Sequence, residues 1–444
     1  MKIALIAMSG IRCCDQELMD MGLTLPGFVD RSKIIAALPS LGLLTLAGMT
    51  PNEHQVDYIE IFDIKDTKAA DSIPQGYDLV AISSYGAQIA EAYELGDIYK
   101  ASGMMVVQGG LHVSACPEEA ILHADAVAIG EGEPVWADIL KDAERRNLRK
   151  FYKSDPRAFS LDDAPMPAYE LLDIDKYNRL TIQTSRGCPR SCEFCASSVL
   201  LTNTYKQKPA DKVLAEIDRI CDIWQKPFIE FADDNTFVNA SYWEDILPKM
   251  ESRKLRWFTE TDISIAKHPE LLRLMRKSGC AQILIGLESP LEKPLDGIEK
   301  NNNWKLKQWP DYKKAIETIQ SYGISVNGCF VIGLDGQTPD IFDAIYDFVC
   351  ETELHEVQIT LQTAFPGTKL YDRLRAEKRL IDETAWEKLT LFDVNFIPSH
   401  MTQDELRKGF YSLAEKMYSE EFTSLRKQKF MEKIRAYQRK IKEN

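Results

Sequence analysis

The chain has 444 residues, with 54 basic against 68 acidic side chains and a formal charge of −14. That balance excludes a general nucleic-acid binder, because phosphate contacts need a basic surface; a local basic pocket for a small anion stays compatible. A hydrophobic share of 45% and a charged share of 27% exclude a disordered or low-complexity chain and predict two or three domains, each with its own core.

Residues 2–7, Lys-Ile-Ala-Leu-Ile-Ala, read as a first strand, too short a run for a secretory h-region. The longest uncharged run, 34–52, is interrupted by Pro39, Gly42, Gly48 and Pro51. It predicts a buried helix over 43–49 entered through Pro39-Ser40-Leu41-Gly42, not a membrane span, which wants about 20 mostly apolar residues. Strands at 56–62, 79–83, 104–108 and 126–129 alternate with helices at 87–102 and 134–145. Such alternation implies right-handed crossovers and a doubly wound parallel sheet over 1–150, with ligands at the carboxyl ends of its strands. Three strand ends carry small or Gly-rich turns: Ser83-Ser84-Tyr85-Gly86, Gly109-Gly110-Leu111-His112 and Gly130-Glu131-Gly132-Glu133. One such turn alone reads as a tight βα connection; three on one edge predict a ligand cleft.

Pro156, Pro165 and Pro167 mark 151–180 as a linker. Over 181–375, strands at 180–184, 228–232, 257–261, 281–287, 325–332 and 356–361 are separated by helices at 210–224, 242–252, 269–278, 312–322, 339–351 and 368–377. Six βα units predict an open partial barrel, short of the eight that close one, with functional residues at the strand C-terminal ends. The last part, 376–444, reads as helical, with a capping box at Thr402-Gln403-Asp404-Glu405 and a basic, solvated end over 427–442. The fold class is thus α/β: an N-terminal doubly wound parallel sheet, a partial (βα)6 barrel, and a helical C-terminal region.

Of ten cysteines, seven are scattered and three are bunched at Cys188, Cys192 and Cys195. This is no secreted disulfide framework; it fits a reducing cytoplasm and one metal centre. Structural zinc sites have four ligands, usually in two close pairs, and no fourth Cys or His lies near. Cys221, the next, falls inside an expected amphipathic helix. Three thiolates suit a [4Fe–4S] cluster with one iron left open for a ligand. Structural zinc and three unrelated core cysteines are the competing readings.

The stretch Cys188-Pro189-Arg190-Ser191-Cys192-Glu193-Phe194-Cys195, at the end of the first barrel strand, resembles the radical S-adenosylmethionine superfamily. The resemblance implies cluster ligation by Cys188, Cys192 and Cys195, and S-adenosylmethionine contacts along the strand ends. Phe194 would lie against adenine. Asp233 and Asp234 in Phe231-Ala232-Asp233-Asp234-Asn235 would lie near the amino group, although the family's usual Gly-Gly-Glu is absent there. Glu260 ends the third strand, beside Asp262. Glu288 and Ser289 end the fourth, where the family meets ribose and carboxylate. Gly333 ends the fifth, at an adenine contact. For any one carboxylate alone, a barrel-rim salt bridge is the competing reading.

The first 150 residues resemble the cobalamin-binding domain that precedes many radical enzymes, on Pro39-Ser40-Leu41-Gly42, Gly109-Gly110-Leu111-His112 and Gly130-Glu131-Gly132-Glu133. Cobalamin contacts would then come from Ser83, Ser84, Gly109, Gly110, His112, Gly130 and Glu131. The chain departs from the Asp-x-His-x-x-Gly pattern, since none of its six histidines has Asp two positions before it. Any cobalamin would be held without that lower ligand.

The resemblance implies a cobalamin-dependent methyltransferase acting through a 5′-deoxyadenosyl radical on a small-molecule or lipid-like substrate, with a one-electron reductant such as flavodoxin or ferredoxin. Arg186 and Arg190 are candidates to hold an anionic substrate, with solvation the competing role for Arg190. The alternatives are a non-methylating radical enzyme (cyclisation, oxygen insertion or rearrangement) and a cluster-binding electron-transfer protein. A methylthiotransferase would need a separate N-terminal three-cysteine site, and only Cys13, Cys14 and Cys116 lie there.

Overall fold

The computed structural model describes residues 1–11, 13–20, 38–197 and 205–443. Its first sheet joins β1 (Lys2–Met8), β2 (Gln55–Ile61), β3 (Leu79–Ser84), β4 (Met105–Gly109), β5 (Ala126–Ile129) and β6 (Phe151–Lys153). All neighbours are parallel, in the order β2-β1-β3-β4-β5-β6. From Ile3 onward β1 is apolar because both its faces are covered. Ile3, Leu5 and Ala7 pack toward helices α1 (Leu41–Met49) and α3 (Glu133–Glu144), whereas Ala4, Ile6 and Met8 pack toward α2 (Ile89–Ala101). The order reverses between β1 and β3, which opens a crevice at their carboxyl ends.

The second sheet holds β7 (Leu180–Ile182), β8 (Phe228–Phe231), β9 (Arg256–Thr261), β10 (Cys280–Glu288), β11 (Ser325–Ile332) and β12 (Glu356–Leu361). They are parallel and lie in sequence order, an open six-stranded barrel. Alternate residues such as Ile229, Phe231, Trp257, Ile283, Ile285, Val326, Phe330, Val357 and Ile359 face the outer helices α4 (Ala210–Ile223), α5 (Ala240–Glu251), α6 (Pro269–Lys277), α7 (Tyr312–Ser321) and α8 (Ile341–Thr352). The opposite phase, Thr181, Glu230, Glu260, Gln282, Asn327 and Thr360, faces inward, so the lumen is polar.

Two boundaries differ from the sequence reading. Phe151–Lys153 is not linker but the sixth strand, an edge strand whose Tyr152 is buried in the first domain's core; the three prolines all follow it. Nor is 376–444 helical throughout. After α9 (Lys369–Ala376) the chain is irregular to Met401 apart from the single turn Trp386–Lys388, with a Leu380–Phe396 bridge. Phe392 and Phe396 hold this stretch by packing into the barrel core rather than by backbone periodicity. Helices α10 (Gln403–Tyr418), with the expected Thr402–Glu405 capping box, and α11 (Glu420–Glu443) complete the chain. Among the described residues no helix is long and apolar enough to cross a membrane.

Candidate cofactor site

Beyond β7 the backbone forms a two-residue antiparallel ribbon, Ser185–Arg186 with Lys206–Gln207, and the three cysteines lie on the loop between its legs. Carboxylates from distant elements hold that loop. Asp233 accepts from the backbone N–H of Thr184 at 2.7 Å and of Ser185 at 2.8 Å, and from the Thr184 hydroxyl. Asp234 accepts from the N–H of Gly187 at 3.0 Å, where φ is +88°. Glu299 accepts from four backbone N–H groups: Ser191, Asn301 and Asn302 at 3.1 Å and Trp304 at 3.2 Å. Those bonds hold its carboxyl below the usual range against a burial that pushes the other way. Glu193 pairs with Arg373 and Lys300, each at 2.7 Å.

Burial raises the Cys188 thiol and holds that of Cys192 at about 12, with each of the two raised further by its neighbouring cysteines. Such thiols stay neutral unless a cationic centre draws them to thiolate. Among the described residues no three His, Cys, Asp or Glu side chains converge tightly enough for a single metal ion. Arg190, within the loop, is not a surface cation. It lies 3.7 Å over the Trp304 ring and donates to Asp262 at 3.1 Å.

The lumen beside the loop is acidic. Glu260 is exposed on the inner face of the barrel, and desolvation by the surrounding wall together with Glu230, Asp234 and Glu288 pushes its carboxyl up to about 8. All the charges acting on it are carboxylates, so the recess favours a cationic ligand. Glu288 is turned inward by a β-bulge after Gly286 and a φ of +63°, and pairs with Lys305, which also donates to the Gly286 carbonyl at 2.8 Å. From the first domain, Tyr85, exposed on the turn after β3, lies close enough to Glu230, Arg179 and Glu60 for their charges to act on its hydroxyl.

The residues expected to meet S-adenosylmethionine separate on inspection. Asp234, Glu260 and Glu288 gather near the cysteine loop, and Phe194 is partly buried against the barrel core. Three others have different work. Asp233 is consumed by the loop it anchors. Ser289 is fully buried and its hydroxyl accepts from the Leu291 N–H at 3.1 Å. Gly333, at φ +100°, is required because a Cβ there would meet Phe396 at 2.6 Å. Residues expected to meet cobalamin separate too. Ser83, Ser84, Gly109, Gly110 and Gly130 line the carboxyl ends of β3, β4 and β5. The Ser84 hydroxyl is buried without a partner among the described residues, and a Cβ on Gly110, at φ +113°, would stand 3.3 Å from the Ser83 hydroxyl. A crevice of small residues with an unspent hydroxyl fits a broad planar ligand. The His112 ring is buried edge-on to Trp386 and 3.7 Å from Glu119, with neither nitrogen hydrogen-bonded among the described residues. Glu131 is taken up by Arg186 and Lys206, which removes Arg186 as a substrate-holding cation.

Sequence reading missed Glu299, Arg373, Lys305 and the Arg190–Asp262 pair. Each joins residues 17 to 180 positions apart, and no spacing signals such partners.

Comparison with known proteins adds three family matches: the radical SAM superfamily over residues 182–349, a B12 binding domain over 31–140, and a domain of unknown function (DUF4070) over 368–444. The chain is 28% identical over 387 residues to bacteriochlorophyllide d C-12(1)-methyltransferase of Chlorobaculum tepidum, covering 85% of this chain and 82% of that one. It is 29% identical to hopanoid C-2 methylase of Rhodopseudomonas palustris, covering 83% and 69%. The fold matches the radical S-adenosylmethionine methyltransferase TsrM of Kitasatospora setae, solved with cobalamin and a [4Fe-4S] cluster bound, at a TM-score of 0.65 and 14% identity over 85% and 78% of the two chains.

Proposed function

We propose that this chain, which belongs to the radical S-adenosylmethionine superfamily and carries a B12-binding domain ahead of its barrel, is a cobalamin-dependent methyltransferase acting on an unactivated carbon of a small-molecule or lipid-like substrate. The observation that carries this reading is the joining of the two domains at these strand ends: Glu131, on the turn after β5, holds Arg186 and Lys206 at the neck of the cysteine loop. The two curated relatives, each named for methyl transfer, support it.

In this reading Cys188, Cys192 and Cys195 hold the [4Fe–4S] cluster, and Ser83, Ser84, Gly109, Gly110 and Gly130 floor the corrin site. When bound, these groups supply one-electron cleavage of S-adenosylmethionine and the methyl group to be transferred. The chain supplies position and electrostatics. Glu260 and Asp234 offer negative charge to the sulfonium and ammonium of S-adenosylmethionine. Lys305 acts on Cys192 to favour its thiolate, and its partner Glu288 acts against that. The C-terminal stretch around Phe396 packs behind the end of β11 and helps keep water from the lumen. A flavodoxin- or ferredoxin-type reductant would deliver the electron.

The test uses protein purified without oxygen, with its cluster rebuilt and hydroxocobalamin supplied. About one cobalamin retained per chain after desalting, and a labelled methyl group passing from S-adenosylmethionine to a product, are expected. Loss of all cobalamin from a chain that still cleaves S-adenosylmethionine would overturn methyl transfer and leave the non-methylating radical reading.

A further inference from the structure

The turn Gly130-Glu131-Gly132-Glu133 has its glycine beside the crevice of the first domain and its two carboxylates against the barrel. The Glu131 side chain is wholly enclosed. Arg186 donates to its Oε1 at 2.7 Å, and Lys206 Nζ reaches Oε1 at 2.9 Å and Oε2 at 2.8 Å. The other Arg186 terminal nitrogen donates to Glu133 at 2.8 Å, and Gln183 accepts from Nε at 3.1 Å and Nη2 at 2.8 Å. Every face of the guanidinium fork is thereby fixed, which an ammonium could not reproduce.

Arg186 and Lys206 are direct partners across the ribbon that forms the neck of the cysteine loop. One carboxylate of the first domain therefore grips both legs of the neck, two residues before Cys188. Two anions meet two cations, so the buried group is neutral. A buried neutral ion group adds little net stability over an apolar contact of equal volume, so specificity of placement is its distinguishing contribution.

We propose that Glu131, Glu133, Arg186 and Lys206 form a positioning clamp that fixes the B12-binding domain to the neck of the cysteine loop and so sets the separation between the two cofactors. This rests on the function proposed above. The clamp residues are positioning residues; none touches a reacting atom.

The test compares Glu131→Gln, Arg186→Gln and Arg186→Lys with the wild-type chain, using Glu170→Gln, which breaks the exposed Arg219–Glu170 pair, as control. The first readout is amide hydrogen exchange over 126–133 and 185–195 in the full chain. In Glu131→Gln and Arg186→Gln, exchange rises in both segments together, on the order of tenfold or more, while 325–332 is unchanged. Arg186→Lys is intermediate and Glu170→Gln is silent. The second readout is the distance between reduced cluster and cob(II)alamin by pulsed dipolar electron paramagnetic resonance: narrow in the wild type, broadened in the two glutamine variants, with iron content retained. Unchanged exchange and an unchanged distance distribution in both variants would overturn the clamp, as would a rise confined to one segment. A wild-type chain that binds no cobalamin would defeat the function proposed above, and the exchange readout would still decide the clamp. Should Arg186→Gln fail to fold, Glu131→Gln and Arg186→Lys carry the same comparison.

Discussion

Glu260 is held in the wrong ionic environment for a carboxylate, and that has a sign. Its folded pKa of about 8 lies above the ordinary carboxyl value of 4.5. Between those two pH values the native chain binds more protons than the unfolded one, so this group's contribution to stability declines as pH rises through the window. In protein free of S-adenosylmethionine, Glu260→Gln is therefore expected to raise the melting temperature at pH 8 more than at pH 5, by roughly 2–4 °C for each kcal/mol relieved. An equal rise at both would show that the recess is not acidic. Cys192→Ala is expected to abolish both the cluster and 5′-deoxyadenosine formation, read as iron and sulfide content and as product; deoxyadenosine persisting in that variant would sink the ligand assignment. The cysteine spacing was legible because it is local, within eight residues of chain. The separate fates of Asp233 and Asp234 were not, because adjacent carboxylates look alike in sequence and are told apart only by the backbone groups each meets.

At the level of elements, alternation carried the reading well. Twelve strands in two parallel sheets follow from apolar runs that are either covered on both faces or alternate between helix and lumen. The misreadings fall where alternation is too short or absent. Phe151–Lys153 is three residues long, and 377–402 is held by side-chain packing and isolated backbone bonds rather than by a periodic element. Strand ends also conceal their partners. Gly333 looks like a cofactor contact, yet its Cα is pressed by Phe396. Gly333→Ala should cost roughly 1–3 kcal/mol, from both strain and overlap, measured by denaturant unfolding, and pairing it with Phe396→Leu should recover part of the loss. Glu299→Ala leaves four N–H groups of the cysteine loop and its neighbour without their acceptor. It should cost roughly 2–4 kcal/mol and lower cluster retention; full retention at unchanged stability would show the bonds to be dispensable.

Across the whole molecule, the C-terminal region serves the first domain as much as the barrel. Trp386 covers His112 and donates to Glu119 at 3.2 Å, and Leu389 lies within 3.0 Å of where a Cβ on Gly86 would stand. Trp386→Phe removes the hydrogen bond and keeps the cover, so it should cost about 1 kcal/mol, whereas Trp386→Ala should also let the His112 pKa, lowered by burial, move back up. Imidazole chemical shifts followed against pH would show it. The chain's start is fastened at the same place. Asp393 accepts from the N–H groups of Cys14 and Asp15 at 2.9 and 3.0 Å, and Asp15 pairs with Arg407 at 2.9 Å. On the ribosome this lacing has a timetable. At 5–20 residues per second, roughly 20–80 s separate the synthesis of Asp15 from that of Arg407. Within that interval Glu193 waits roughly 9–36 s for Arg373, its partner 180 residues downstream. A nascent chain can fold its first sheet early, but the loop that would receive the iron stays unfastened at one anchor until translation is almost over, which leaves the way open for delivery of the cluster before the molecule closes.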